Sequence, residues 1–376
     1  MAKEIKNRSK LNSLSNLLLI LGILIFTLWI GKSLVMPVVF AIFLAMMFMP
    51  ITNFFERFIK NDAIAIILTF VSILIPVISL ATVFGYQLST VFEGMSSIGE
   101  RLDEGIQKIL VWLKRNTGLN IESPRQFAEE NTDNLAGFAS NFLTSSISST
   151  TGVLINIGLG LIYIFFILLY RRAIKNFLIQ QVPKEYRSEG KGVIHSVRRI
   201  AQQYLIGTII VMGILAVLNS LGLWIIGVDY AIFWGCLGAF LAIIPYIGTI
   251  IGGFLPLIYV LATSTGIWQP IAVIIMYQVI QAVEGNFITP KIVGSNVSIN
   301  TLVAIMAILF WGTLWGVGGV ILAIPLTAIL KIFLGQVSYF EPLSYLMSDG
   351  VNKKPQVFLE KYDQGKYRIW NYFKQK

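Results

Sequence analysis

The chain has 376 residues, of which 56% are hydrophobic and only 13% are charged, and its formal net charge at pH 7 is +10. Soluble domains carry about 25% charged residues, so this composition excludes an ordinary soluble enzyme and indicates an integral membrane protein. The basic residues lie beside apolar segments, as expected for membrane topology and contact with anionic lipid headgroups, and we therefore predict no nucleic-acid partner.

Apolar segments long enough to cross a bilayer alternate with charged loops along the chain. About eight such segments predict an all-α polytopic membrane protein, because about 20 apolar residues span the bilayer core. Six of them are uninterrupted or carry one or two prolines: 14–31, 33–52, 63–86, 152–170, 205–227 and 266–283. The first has no small-residue cleavage site after it, so we interpret it as a retained span rather than a signal peptide.

The charges of the loops predict the orientation of the chain. The N-terminal segment, the loop 171–204 and the tail from residue 331 carry an excess of Lys and Arg, whereas the loop 87–151 has five basic and eight acidic residues. Cytoplasmic loops are enriched in positive charge, so both termini are predicted inside and the 87–151 loop outside. Apolar residues recur at intervals of three, four or seven residues over 88–113, which predicts a helix in that outer loop.

These features divide the chain into five predicted regions. They are a three-span region 1–86, an extracytoplasmic helical loop 87–151, a fourth span with a basic cytoplasmic loop 152–204, a transport region 205–335 and a basic cytoplasmic tail 336–376.

Two stretches of the predicted transport region, 231–264 and 301–330, are uncharged but interrupted by glycine and proline. A straight helix over the first would be about 51 Å long, too long for ordinary tilt across a core of about 30 Å. Each stretch is therefore either a re-entrant hairpin or a single crossing that extends beyond the membrane, and the central breaks favour the hairpin. The spacing of the glycines also fits close helix packing alone.

A polar segment lies between the two broken stretches. Gln278, Gln281 and Glu284 are spaced by three residues and so lie along one helical face. An ionisable residue at membrane depth suggests function, so Glu284 is a candidate to bind a coupling proton or Na+; the alternative is an interfacial helix end paired with Lys291. The predicted substrate- or ion-binding residues are Gln278, Gln281, Glu284, Asn286, Pro245, Gly248, Gly316 and Gly318.

Several motifs follow one another in a specific order. They are Pro245-Tyr246-Ile247-Gly248, Gln281 with Glu284-Gly285-Asn286, Pro290-Lys291-Ile292-Val293-Gly294, Gly316-Val317-Gly318-Gly319 and Ala323-Ile324-Pro325. Together they resemble the AI-2E family, which is described as bacterial inner-membrane secondary transporters with autoinducer-2 or Na+ and H+ among the proposed substrates. The resemblance implies a small-molecule or ion substrate, a membrane-lipid environment, elevator-like movement of a hairpin-containing domain and a homo-oligomer, with a pentamer as a guess.

Three function classes compete at this point. The first is a secondary transporter that exports a small polar, autoinducer-2-like metabolite or exchanges Na+ for H+. A passive channel is the alternative, because glycine-rich re-entrant segments also build selectivity filters. A membrane enzyme has little support: His195 is the single histidine, the sequence has no P-loop, and we expect no catalytic residue, metal or cofactor.

Overall fold

A computed structural model of the chain describes residues 22–94, 150–264, 266–293, 299–351 and 354–364, together with residues 16, 19, 20, 102, 104–108, 111, 114, 115 and 367. The described chain is helical, and its single extended pairing is an isolated antiparallel bridge between Ile299 and Ser348. Much of the helix predicted over 88–113 lies outside the described residues.

Eleven α-helices are named here from the described residues. In chain order they are α1 Lys32–Glu56, α2 Asp62–Gly94, α3 Thr150–Gln180, α4 Arg187–Ile226, α5 Ala231–Leu241, α6 Ile247–Thr263, α7 Trp268–Val283, α8 Thr289–Ile292, α9 Thr301–Gly335, α10 Glu341–Leu346 and α11 Val357–Glu360. A helical segment at 22–30 precedes α1, and a π-helical turn, Glu284–Ile288, joins α7 to α8.

Six helical runs in the described part of the chain are long and apolar enough to cross a membrane: α1, α2, α3, α4, α9 and the run from α7 to α8. Two shorter apolar helices, α5 and α6, accompany them. The all-helical, many-span character predicted from hydropathy is thereby confirmed.

The basic region 171–204 is helical over most of its length, although the charge pattern alone describes it as a loop. α3 continues to Gln180 and α4 already begins at Arg187. At 40 residues α4 is about 60 Å long, about twice the thickness of a bilayer core. Its basic N-terminal part therefore extends beyond the apolar core as a continuation of the same helix.

The described chain forms two compact units. The first comprises the described parts of Met1–Ile66, Leu159–Ile206 and Val293–Lys376. Within it, Arg171 donates hydrogen bonds to both carboxylate oxygens of Glu56, and only 12% and 13% of these side chains are exposed. This ion pair, in which the single nitrogen Nη2 of Arg171 contacts both oxygens, links the C-terminal end of α1 to α3. Loss of either partner would leave the other charge buried, which is strongly destabilising.

The second unit comprises the described parts of Ile67–Gly158 and Gly207–Ile292. Its apolar core includes Leu223 of α4, Phe233 of α5, Leu255 of α6 and Val273 of α7, all 3% exposed or less. These four helices therefore pack on a common centre.

The first broken stretch is a helical hairpin within the second unit. α5 and α6 run antiparallel: a Cβ built on Gly252 would lie 2.8 Å from the Gly238 Cα, and the rings of Trp234 and Tyr259 are 5.2 Å apart. The arms have 11 and 17 residues, which corresponds to about 16 and 26 Å. Each arm is thus shorter than a bilayer core of about 30 Å.

The reversal of this first hairpin occupies residues 242–246. It ends in a γ-turn at Tyr246, where φ is 64° and ψ is −55°. The Ile247 amide donates to the Pro245 carbonyl oxygen at 2.7 Å across that turn. A γ-turn with positive φ is rare and strained for a residue with a side chain, so the backbone at Tyr246 is under strain.

The second broken stretch also reverses, within α9 in the first unit. Gly316 has φ 62° and ψ −143°, which is not helical. Trp311 Nε1 donates to Thr327 Oγ1 at 3.1 Å, although 16 residues of straight helix would separate the two by about 24 Å. α9 is therefore two antiparallel arms that meet at Gly316.

Both ends of this second hairpin contact the same C-terminal segment. At its start, the Asn300 backbone amide donates to the Met347 carbonyl oxygen at 3.0 Å, and Asn300 Nδ2 donates to the Leu346 carbonyl oxygen at 2.6 Å. Near its end, Ser344 Oγ donates to the Lys331 carbonyl oxygen at 3.0 Å. The chain thus enters and leaves α9 at one end of the first unit.

Candidate functional site

Glu284 stands where the α-helix α7 changes to a π-helical turn. Gln281 Nε2 donates to Glu284 Oε2 at 2.8 Å, and the Thr289 hydroxyl donates to Glu284 Oε1. Thr289 is five residues away, yet its backbone amide also bonds to the Glu284 carbonyl oxygen because the π turn closes at that spacing. The half-buried carboxylate is therefore held by one donor on each side.

Asn286 is directed to its own helix. Its Nδ2 donates to the Ala282 carbonyl oxygen at 2.8 Å, and its side chain is exposed. Of the predicted polar residues, Gln281 and Glu284 are thus directly linked, whereas Asn286 supports the backbone of the π turn.

A cleft of about 260 Å³ lies between the second arm of the first hairpin and α7. None of the ten residues that line it is charged. They are Thr249, Ile250, Gly253, Phe254 and Leu257 of α6, and Val273, Ile274, Tyr277, Gln278 and Gln281 of α7. The structure thus places two predicted residues, Gln278 and Gln281, on one wall, and Gln281 connects that wall to Glu284.

The turn of the first hairpin adjoins one side of this cleft. Thr249, which lines the cleft, donates its hydroxyl to the Tyr246 carbonyl oxygen at 2.9 Å. A Cβ on Gly248 would overlap the Leu241 carbonyl oxygen, so the two arms can approach only with glycine there. Pro245 and Gly248 therefore shape the turn, and neither is among the residues that line the cleft.

The last two predicted residues, Gly316 and Gly318, belong to the first unit. A Cβ built on Gly316 would meet no atom within 4 Å, so lack of space does not explain the glycine. The positive φ of the backbone does, because glycine adopts it without steric cost. A Cβ on Gly318 would press on the Met36 Cε. These glycines shape the turn of the second hairpin.

Sequence analysis missed Thr249 and Tyr277 as residues of the cleft. A signal for Tyr277 was present, since Val273, Tyr277 and Gln281 recur at intervals of four on one helical face. Thr249 gave no comparable signal, because its place beside α7 depends on the reversal of the first hairpin.

An all-helical chain with five described runs of spanning length, besides α9, which folds back at Gly316, is a multi-pass membrane protein. Comparison with known families then gives the particular class: the chain belongs to the AI-2E family of transporters, whose model matches residues 18–338. The protein is accordingly a membrane transporter.

Individual relatives cover most of the chain. AI-2 transport protein TqsA of Escherichia coli K12 is 26% identical over 352 residues, which cover 90% of this chain and 96% of TqsA. A candidate transport protein of Haemophilus influenzae is 29% identical over 316 residues, covering 81% of this chain and 87% of the relative. The candidate transport protein YueF of Bacillus subtilis is 24% identical over 317 residues, covering 80% and 84%.

Proposed function

We propose that the protein is a secondary transporter that carries a small, uncharged polar metabolite by alternating access, with the cleft between α6 and α7 as its solute site. The observation that carries this proposal is the lining of the cleft, which offers the amides of Gln278 and Gln281 and the hydroxyl of Thr249 without a charged group. Its volume of about 260 Å³ lies near the lower end for small-molecule sites.

Neutral hydrogen-bonding groups suit a hydroxylated solute better than an ion. A charged solute in an apolar helix bundle requires an opposite charge or many oriented dipoles to replace its hydration. Export of an autoinducer-2-like metabolite, the substrate that the name of TqsA indicates for that relative, fits such a lining.

Glu284 is proposed as the residue that binds the ion coupled to transport, with a proton as the first candidate. As a carboxylate it accepts hydrogen bonds from Gln281 and Thr289. Protonation would turn one acceptor oxygen into a donor, so one of these two partners would have to reorient. Because Gln281 also lines the cleft, a proton on Glu284 Oε2, the oxygen that Gln281 contacts, would alter the solute site.

The decisive experiment is transport by the purified protein in liposomes. In liposomes with an outward-directed solute gradient, efflux of the solute should move protons across the membrane, which a pH-sensitive dye reports. An imposed pH gradient should in turn drive uptake or release of the solute. Glu284→Gln should abolish the coupling while the protein stays monodisperse, and Glu185→Gln, an exposed glutamate outside the cleft, is the matched control. Coupled transport at the wild-type rate in Glu284→Gln would refute the role of Glu284.

The passive channel remains the alternative function. A pore for ions predicts single-channel currents that are unaffected by Glu284→Gln, and such currents would refute alternating access. A pore for an uncharged solute carries no current and predicts instead a flux that rises linearly with solute concentration. A solute flux that saturates and shows no unitary currents would support the transporter.

Both hairpins are proposed to be re-entrant, with elevator-like movement of a hairpin-containing domain. The arms of the first hairpin are shorter than a bilayer core, and the second hairpin has both its ends on one C-terminal segment. Cysteines at Asp229 and Thr263, in a Cys236→Ser background, flank the first hairpin. Labelling of both from the same side supports re-entry, and labelling from opposite sides refutes it.

The cellular setting follows from the same proposal. We place the protein in the bacterial inner membrane with both termini in the cytoplasm, on the basis of the positive charge of the N-terminal segment, the 171–204 region and the tail. Assembly as a homo-oligomer stays a prediction from the family resemblance.

A further inference from the structure

Prolines in the helices of the first unit leave carbonyl groups that side chains then satisfy. Pro50 has no amide hydrogen to offer the Met46 carbonyl oxygen, and Gln202 Nε2 donates to that oxygen at 2.7 Å. Pro325 likewise offers none to Ile321, and the Tyr204 hydroxyl donates to the Ile321 carbonyl oxygen at 3.4 Å. Two polar residues of α4 thus replace two missing helical hydrogen bonds.

The same problem arises at Pro256 in the second unit. Pro256 lies inside α6 and has no amide hydrogen for the Gly252 carbonyl oxygen. That oxygen lies 3.0 Å from the position of a Cβ built on Gly238. Within 3.5 Å of the same position are the Tyr277 hydroxyl oxygen and Asn219 Nδ2. An acceptor left by proline is therefore surrounded by polar side chains of α4 and α7.

The polar ends of these two side chains are buried and unsatisfied. Asn219 is 4% exposed, and neither its Oδ1 nor the Tyr277 hydroxyl has a hydrogen-bond partner among the described residues. An unsatisfied buried polar group destabilises the fold, and native proteins contain few of them. Two such groups beside a proline-exposed carbonyl form a buried polar cluster that can hold one common partner.

We propose that Asn219, Tyr277 and the Gly252 carbonyl form a binding site for one internal water molecule. The set offers the Asn219 side-chain amide, whose Nδ2 lies 3.5 Å from the Gly238 Cβ position, the Gly252 oxygen as an acceptor, and a hydroxyl that both donates and accepts. Water makes about three hydrogen bonds at such internal sites. A cation would call for a carboxylate, and no charged residue belongs to this set.

The water would position one wall of the cleft. A Cβ on Gly253 would lie 3.2 Å from Tyr277 Cδ1, so the ring of Tyr277 lies against α6 and also lines the cleft. Tyr277 is thus a positioning residue: its hydroxyl is held by the water in the interior, and its ring faces the solute. The water site itself does not depend on the transport proposal.

A high-resolution density map of the wild-type protein is the first test. We expect a peak within about 3.2 Å of the Asn219 side-chain amide, the Tyr277 hydroxyl and the Gly252 carbonyl oxygen. A direct Tyr277–Gly252 hydrogen bond with no peak between the atoms would overturn the proposal. So would a peak at about 2.4 Å from three oxygens, which is a cation distance.

A double-mutant cycle of melting temperatures, measured on the protein in detergent, gives an independent test. Tyr277→Phe should lower the melting temperature by roughly 2 °C, and this loss should shrink by half or more in a Pro256→Ala background, where alanine returns an amide to the Gly252 carbonyl. Tyr204→Phe with Pro325→Ala is the matched control for a direct bond. An equal loss from Tyr277→Phe in both backgrounds, or Na+-specific stabilisation that Tyr277→Phe removes, would contradict a water site.

Discussion

The two helical hairpins reverse the chain in different ways. The first uses residues 242–246 and holds Tyr246, a residue with a side chain, at a positive φ of 64°. The second reverses at Gly316, whose φ of 62° and ψ of −143° suit glycine. One turn therefore carries backbone strain and the other avoids it through the choice of residue.

The two hairpins also differ in the contacts made by their tryptophan side chains. In the second, Trp311 donates to Thr327 and Trp315 Nε1 donates to the Leu28 carbonyl oxygen at 3.1 Å. In the first, Trp234 packs on Tyr259, and its Nε1 has no hydrogen-bond partner among the described residues. The second hairpin is thus held by directional bonds, and the first mainly by apolar packing.

This difference fits different roles for the two hairpins in transport. Strained backbone and unsatisfied polar groups concentrate where a protein must change its contacts. The first hairpin has both, and its second arm lines the cleft. We therefore expect the first hairpin to respond to solute and the second to remain fixed within its unit.

The largest effects are expected where glycine permits close approach in each hairpin. A Cβ on Gly248 would overlap the Leu241 carbonyl oxygen, and one on Gly319 would overlap the Trp311 carbonyl oxygen. Gly248→Ala and Gly319→Ala should each lower the free energy of unfolding by at least about 3 kcal/mol. Denaturation in detergent measures this, with Gly213→Ala as a helical control that has nothing within 4 Å. Wild-type stability in either variant would contradict the antiparallel packing.

The turn residues should respond with opposite signs. Gly316→Ala should cost about 1–3 kcal/mol because alanine rarely adopts that conformation. Tyr246→Gly should instead be neutral or stabilise by up to about 1 kcal/mol, since relief of strain outweighs the added freedom of the unfolded chain. The same denaturation measurement applies, and a large loss of stability in Tyr246→Gly would show that the γ-turn is unstrained.

The two indole groups provide a smaller, matched comparison. Trp315→Phe removes a hydrogen bond to the Leu28 carbonyl oxygen, whereas Trp234→Phe removes an N–H without a partner in the described part of the chain. Both side chains are 5% exposed or less and both substitutions remove similar volume, so Trp315→Phe should be worse by about 1 kcal/mol. Equal losses in dye-monitored unfolding would mean that the second hairpin gains nothing from this bond.

The smallest effect concerns the C-terminal segment that holds the ends of the second hairpin. Lys361 Nζ donates to Glu341 Oε1 at 2.9 Å and to the Tyr362 hydroxyl at 3.3 Å, which raises the pKa of Lys361 above its ordinary value. Because the pKa of Lys361 is higher in the folded than in the unfolded chain, its proton stabilises the fold fully at pH values below the ordinary lysine pKa. This stabilisation is lost as the pH rises through the folded-state pKa.

Lys361→Met should therefore cost less than about 1 kcal/mol, because this pair is largely exposed. The cost should be constant from pH 6 to about 9 and should vanish in strongly alkaline buffer. Melting curves across that range test it, and a cost that changes near neutral pH would point to a different group.

Much of the architecture could be read from local sequence. Hydropathy predicted the helical spans, and the glycines and prolines marked both breaks, because these residues act on their own backbone. The link between Gln281 and Glu284 was also predictable, since residues three apart share a helical face. Thr289 was not assigned to Glu284, because the π turn that brings residue i+5 into reach leaves no clear sequence pattern.

By itself, the sequence determined the membrane class, the family resemblance and the two positions at which apolar helices must break. Only the tertiary structure decided that Gly316 reverses α9, that Thr249 faces Gln278 across a cleft, and that Asn219 and Tyr277 surround the Gly252 carbonyl. The reason is physical: a break fixes where the backbone leaves a helix, but the direction it then takes depends on contacts between residues far apart in the chain. The partners of buried polar groups are set by those same contacts, so local sequence gives their chemistry and the fold gives their neighbours.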